Sequence, residues 1–411
     1  MSLKHFFRIV ILLLAAHNAQ AQWTLADTVS NGNFRSLHFI TTDRGCIVGE
    51  LQGRVRNTQN GTATLQDFST PFNSEIFMDV QMLDPQNGYA CGGSWFGQHH
   101  NVLIRTADGG QTWTTANADS TPGYAFERMD FRNLDTGILS GGYQMYKTFD
   151  GGTTITPVNS PSVNYTLNDL RLLPGNRIIL SGTIFPMQTF IAVSTDWGAN
   201  WNTVFTDTTL GISSLDFQGA SGIASCSKGW ILRTADAGQT WTKQHITADS
   251  FHFTRVRIYN NSVAWLAGYK QYDGYLYVTK DGGNTWQQNL VVPNETLVDI
   301  SMPTLDTGYA LGYRKLYKTT NSGGLHLSVT ELPQQTQRIT IWPNPATNTV
   351  HIELPAGVKL QQATVSDMHG RIVRCYNASN TTLELNGLAK GCYLLEVKTD
   401  KGRQTEKLVV E

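Results

Sequence analysis

The chain has 411 residues and a formal net charge of −1, and only 15% of its residues are charged. That balance offers no basic surplus for nucleic acid or an anionic membrane surface, where neutralising phosphate dominates binding. With 38 glycines, 15 tyrosines, 10 tryptophans and 40% apolar residues, it describes a turn-rich, aromatic-rich all-β protein with room for more than one domain.

The first segment is a targeting signal. Lys4 and Arg8 precede the apolar run Ile9–Ala16, and Ala19-Gln20-Ala21 has the small-x-small form of a cleavage site. Residues 1–21 therefore read as a signal peptide, with Gln22 opening the mature chain. The apolar run would span about 12 Å as a helix, against a hydrocarbon core of ~30 Å. No later stretch approaches the length of a membrane span, so no transmembrane segment is expected once the leader is removed.

Internal repetition organises residues 22–330. Thr106–Trp113, Thr148–Ile155, Ser194–Trp201, Thr234–Trp241 and Thr279–Trp286 follow the pattern S/T-x-D-x-G-x-T-W, with Ile155 in place of the Trp in the second and Asn200 in place of the Thr in the third. Asp108, Asp150, Asp196, Asp236 and Asp281 hold its third position, and Trp113, Trp201, Trp241 and Trp286 its last. Weaker copies lie at Asn57–Thr64 and Thr319–His326. Counted on Gly61, Gly110, Gly152, Gly198, Gly238, Gly283 and Gly323, the unit recurs every 40 to 49 residues. Three strand-like runs precede each box. An alternating run such as Leu167–Leu172 comes first, then a glycine-bounded apolar run such as Gly45–Gly49 or Gly137–Gly141, then a third such as Lys315–Lys318. The box Trp opens a fourth. Four strands in forty-odd residues is the size of a propeller blade, and seven units predict a seven-bladed β-propeller. Gln22-Trp23-Thr24 echoes the start of a fourth strand, and the last box lacks its Trp. Residues 22–27 are therefore expected to complete the seventh blade, with Leu325–Glu331 as the alternative; closure would remove exposed sheet edges.

The box has a mechanical reading. Its Asp accepts backbone N–H bonds within a tight turn, its Gly takes positive φ, and its Trp buries a wide face. These boxes resemble the Asp-box of bacterial neuraminidase (BNR) repeat, sortilin and xyloglucanase propellers. The strand order and unit count resemble the photosystem II stability/assembly factor-like propellers. The resemblance covers roughly residues 23–330 and implies a fold, with the box residues structural rather than catalytic.

Composition shifts after residue 330. Glu331–Arg338 is a polar linker, and residues 339–411 carry short alternating strands suited to a small immunoglobulin-like β-sandwich. Four ordered motifs run through them: Trp342-Pro343-Asn344-Pro345, Asp367–Arg374 with Gly370, Leu388–Tyr393 with Gly391 and Tyr393, and Gly402–Val410 with Lys407. They resemble the type A C-terminal sorting domain of the type IX secretion system. The resemblance implies passage to the periplasm and then across the outer membrane, the secretion machinery as a partner, and removal of the domain during export to the medium or cell surface.

Chemistry is sparse. There is no G-x-S-x-G, H-E-x-x-H or phosphate loop, no Cys/His spacing for zinc, and adjacent His99-His100 would point apart on a strand. No catalytic residue, cofactor or metal site is assigned. Cys46, Cys91 and Cys226 read as buried hydrophobes, with pairing of the five cysteines left open. Aligned inner-strand positions run His38, Gln81, Asp130, Arg171, Asp216, Arg257 and Ser301, so neighbouring charges are expected to neutralise one another around the channel. Connections between second and third strands carry Trp95, Phe96, Phe185, Phe190, Tyr272 and Tyr275, a candidate ligand face opposite the box turns. The leading reading is a secreted or surface-attached, non-enzymatic binding module for an extracellular glycan or protein. The alternative is a sialidase- or xyloglucanase-like hydrolase of extracellular glycans, and a third is an assembly factor.

Overall fold

A computed structural model describes residues 23–324 and 339–411, apart from 31, 74, 95–100, 120–124, 163–164, 249, 355–356, 368–371, 378–380 and 401. The residues form two compact units divided between Leu327 and Ser328. The predicted signal peptide and linker, and with them Trp95, Phe96 and Gly370, lie outside the described residues.

The first unit contains seven four-stranded antiparallel sheets. Their innermost strands are Phe34–Phe39, Ile76–Met82, Arg128–Phe131, Tyr165–Leu173, Ile212–Gln218, His252–Ile258 and Leu297–Ser301. Each touches the next, and the last touches the first, so the sheets follow one another around a ring as the blades of a β-propeller. We number the blades one to seven in that order. Within each sheet the chain meanders outward. The glycine-bounded runs form second strands that are buried throughout, as at Gly45–Gly49, Gly137–Gly141 and Gly308–Gly312. Glycine is required at Gly45 and Gly137, because a Cβ would stand 2.4 Å from the Phe39 ring and 2.5 Å from the Phe131 ring. Those rings stack on tyrosines of the preceding blade, Phe39 on Tyr309 at 3.5 Å and Phe131 on Tyr89 at 4.0 Å. The Tyr309 and Tyr89 hydroxyls then donate to the carbonyls of Thr42 and Leu134 at 2.7 and 2.6 Å, tying one blade to the next.

The seventh blade takes its outer strand from the other end of the chain. Thr24–Thr28 pairs antiparallel with Lys315–Thr319. The Trp23 indole donates to Asn289 Oδ1 at 2.6 Å, and Asn289 reaches the Ser322 and Gly323 carbonyls at 3.3 Å each. The last box, which has no Trp of its own, is therefore served by a Trp 300 residues earlier in the chain.

The second unit packs a three-stranded sheet (Thr340–Trp342, Thr349–Glu353, Thr382–Glu384) and a four-stranded sheet (Ile372–Asn377, Leu360–Asp367, Gly391–Thr399, Gly402–Val410) as a β-sandwich. Alternating residues from both sheets, among them Val350, Ile352, Ala363, Val365, Leu395, Val397 and Leu408, make its core.

Candidate functional site

In an up-and-down meander the turns between third and fourth strands lie on one face of the ring. The connections between second and third strands lie on the other, beside the starts of the inner strands. The box turns occupy the first face. Asp108 Oδ1 accepts the Gln111 and Thr112 N–H groups at 2.9 Å each and the Thr106 hydroxyl at 2.8 Å. Its Oδ2 accepts the Thr112 hydroxyl at 2.6 Å. Asp150, Asp236 and Asp281 accept the same kind of hydroxyl, and Asp196 the Asn200 amide instead. Such bonds favour the ionised form. They hold Asp150 below the usual carboxylate range, chiefly through the Thr154 hydroxyl, and Asp196 at about 2, chiefly through the Asn200 N–H. Trp113, Trp241 and Trp286 donate to the carbonyls of Gly110, Gly238 and Gly283 at 3.1 Å, whereas Trp201 reaches the Asn159 carbonyl at 2.8 Å. Both oxygens of each Asp are thus engaged inside the turn. In the first copy the expected alignment is one residue early. Thr62, not Gly61, takes the second-glycine place, with φ 77° and its N–H donating to Thr58 Oγ1 at 3.1 Å. The turn bonds hold a threonine in a region it rarely adopts.

The channel is a belt of strand-to-strand bonds. His38 Nδ1 accepts the Met82 N–H at 2.8 Å, Gln81 Oε1 that of Phe131 at 2.7 Å, Asp130 Oδ2 that of Leu172 at 2.6 Å. Asp216 Oδ2 accepts the Ile258 N–H at 2.6 Å and Ser301 Oγ the Phe39 N–H at 3.0 Å. Asp79, Asp169 and Asp299 form a second tier, accepting from Met129, Leu215 and Leu37. Charge pairing is present but secondary, a correction to simple alternation. Arg171 lies 2.9 Å from Asp169 on its own strand and 3.7 Å from Asp216 on the next, and Arg255 and Arg257 share Asp299 at 2.9 and 3.3 Å. Burial pushes Asp169 upward, but Arg171 and Arg255 overcome it and hold the carboxyl at about 2. Burial raises Asp130, whose oxygens face the Leu172 N–H and the Gln81 amide. Burial, helped by Arg257, lowers His38 to about 4, which keeps it neutral and able to accept. A cavity of about 310 Å³ remains, lined by His38, Asp130, Arg171, Asp216 and Arg257 among others.

At the other end of the channel, on the loop face, lies a cavity of about 230 Å³ lined by Arg35, Met78, Arg128, Ser213, Thr254, Arg255, Val298 and Tyr313. Among the described residues three guanidinium groups and no carboxylate line it. Arg35 pairs with Glu50 and Arg255 with Asp299, while Arg128 has no salt bridge among the described residues. The Nε atoms of Arg35 and Arg128 are buried with no hydrogen-bond partner among the described residues. Tyr313 sits 5.9 Å from the Arg35 guanidinium.

The expected aromatic face is partly corrected. Phe185 and Tyr272 are 83% and 79% exposed at turns between second and third strands. Phe190 and Tyr275 instead belong to third strands, Gln188–Ser194 and Asp273–Thr279, whose alternation turns them inward. Phe190 is buried edge-to-face against Tyr165, and Tyr275 is half-buried against Phe251 at 4.8 Å. Two exposed rings at equivalent turns escape a reading of the sequence: Tyr143 of the third blade and Tyr313 of the seventh. Tyr313 directly follows the glycine that ends its second strand and Tyr143 lies one residue further on, after Gly141-Gly142, a pattern visible along the chain.

In the sandwich, exposed Trp342 lies 4.5 Å from the His351 ring. Asn344 bridges the last strand, donating to the Lys407 carbonyl at 2.6 Å and accepting the Val409 N–H at 2.8 Å. The Tyr393 hydroxyl donates to the Ala389 carbonyl at 2.8 Å.

Residues 340–411 match the family described as secretion system C-terminal sorting domain, which assigns the chain to export by type IX secretion. The propeller is similar to Photosystem II assembly lipoprotein Ycf48 of Synechococcus sp. (strain CC9902), 20% identical over 278 residues, 66% of this chain and 80% of that one. Among solved structures, YCF48 bound to D1 peptide superposes with a TM-score of 0.59 at 18% identity, covering 73% of this chain and 96% of that one. The GH74 enzyme of Niastella koreensis gives 0.58 at 11% identity, covering 94% and 74%. At these identities the structures show a shared fold.

Proposed function

We propose that this chain is an exported, non-catalytic binding module whose loop-face channel mouth takes an extended peptide carrying a carboxylate. The carrying observation is the cavity lined by Arg35, Arg128 and Arg255, with no lining carboxylate among the described residues. Buried guanidinium N–H groups without partners favour an anionic, bidentate acceptor. The D1 peptide seen on a similar propeller supports a peptide as the occupant. A xyloglucanase-like hydrolase uses a carboxylate pair, one free to act as acid and the other as base or nucleophile. The five channel aspartates instead bind backbone N–H groups or arginines. Residues 1–21 serve as the leader, and the sorting domain delivers the propeller outside the cell and is removed there.

The test is a peptide array probed with the full mature chain, with xyloglucan and sialyllactose hydrolysis measured in parallel. Retention of peptides with free or side-chain carboxylates, without hydrolysis, is the expected result. Turnover of either glycan would overturn the reading in favour of a hydrolase.

A further inference from the structure

A cavity larger than either of those on the channel opens on the loop face between the third and fourth blades. Its volume is about 620 Å³, and Tyr143, Tyr165, Thr166, Thr183, Phe185 and Pro186 line it. That is within the ~300–1,000 Å³ range of small-molecule sites. We propose that it is a second binding site, specific for a neutral pyranose.

The chemistry of the lining selects the ligand. Among the described residues no lining side chain is charged, so none of them offsets the desolvation of an anion or cation. Phe185 is 83% exposed and Tyr143 51%, which puts aromatic surface at the rim. Flat rings of this kind stack on apolar faces, and one side of a pyranose presents a patch of C–H groups. The deeper wall carries hydroxyls. Thr183 Oγ1 accepts the Asn168 amide at 3.1 Å and so keeps its own proton to donate. The Tyr165 hydroxyl is buried without a hydrogen bond of normal geometry, and burial raises its pKa against the smaller opposing effect of nearby Ser160, which keeps its proton in place to donate. A phenyl or indole group placed here would leave these hydroxyls unpaired, whereas a sugar brings a donor and an acceptor on each of its own hydroxyls. The ring at the rim and the hydroxyls behind it match the two sides of a neutral saccharide. The site shares no residue with the arginine-lined mouth, so it stands independently of the peptide reading.

Saturation-transfer NMR and calorimetric titration of the full mature chain test this. The probes are methyl β-glucoside, methyl α-mannoside, cellotetraose and mannotetraose at millimolar concentration, with N-acetyltyrosine amide as the competing aromatic class. At least one neutral saccharide is expected to bind, with saturation strongest on its ring C–H protons. Phe185→Ala should weaken that binding about tenfold at an unchanged melting temperature, as expected of an exposed anchor. Tyr165→Phe should weaken it several-fold, and Arg128→Gln should leave it unaltered. Binding of N-acetyltyrosine amide alone would overturn the proposal, as would no binding by any probe. Saccharide binding that survives both Phe185→Ala and Tyr143→Ala would place the site elsewhere and overturn it too.

Discussion

The two faces of the ring are built on opposite terms. On the box face and along the channel, polar groups are turned inward onto the protein's own backbone: Asp108 closes its turn, and Asp130 and Asp216 staple one inner strand to the next. On the loop face, guanidinium Nε atoms and a tyrosine hydroxyl are buried without hydrogen-bond partners among the described residues, and Tyr143, Phe185, Tyr272 and Tyr313 stand exposed at equivalent turns. The regular side repeats because each blade must solve the same packing problem. The irregular side does not, as the proposed function requires of one binding surface shared among blades. On that proposal repetition records stability, and departures from it mark where a partner would be met.

Substitutions sharpen that contrast in a graded way. The largest effect is expected from Asp299→Ala, which strips Arg255 and Arg257 of their shared carboxylate inside the channel. Leaving buried charge uncompensated should cost about 3–5 kcal/mol in denaturant unfolding. His38 gives the next effect through pH. Its folded pKa of about 4 lies below the unfolded value of 6.5, so the unfolded chain takes up the proton first as pH falls. Stability should therefore drop between pH 6.5 and 4, by up to about 2–3 kcal/mol from this group. Asp79, Asp299 and Arg257 act on the same imidazole, and His38→Gln, which imitates Gln81 one blade on, should flatten that limb of the pH–stability curve. Asp108→Ala removes turn bonds at the surface and should cost about 1–2 kcal/mol. Smallest is Tyr272→Ala on the loop face, expected to change the unfolding free energy by less than about 0.5 kcal/mol. A large loss there would show that the loop face is packed like the other and would break the contrast.

Much of the fold is legible in the sequence because blade turns reuse local chemistry. A Thr, an Asp two residues on and a Gly two further along announce the same turn at Thr106, Thr148 and Thr279. The seam is legible too, since Trp23-Thr24 imitates a blade's fourth strand. Where the local code is broken, reading fails: Thr62 in a glycine's conformation shifts the first copy by one residue. Phe190 and Tyr275 read as loop residues because strand ends are poorly marked by composition. Arg35, Arg128, Arg255 and Tyr313 come from four blades and meet only through ring closure, so no spacing along the chain reveals the channel mouth. Tyr165 lies at the start of an inner strand, where nothing local shows that its hydroxyl borders a cavity.

The central claim is that the ring separates holding from binding. The direct measurement is the affinity for an array-selected carboxylate peptide, taken together with the melting temperature, for Arg128→Gln and Asp108→Ala in the full mature chain. Arg128→Gln should weaken binding about tenfold or more with little change in melting temperature, and Asp108→Ala should lower the melting temperature with little change in affinity. Selective loss of affinity in Asp108→Ala, with Arg128→Gln binding normally, would contradict the account.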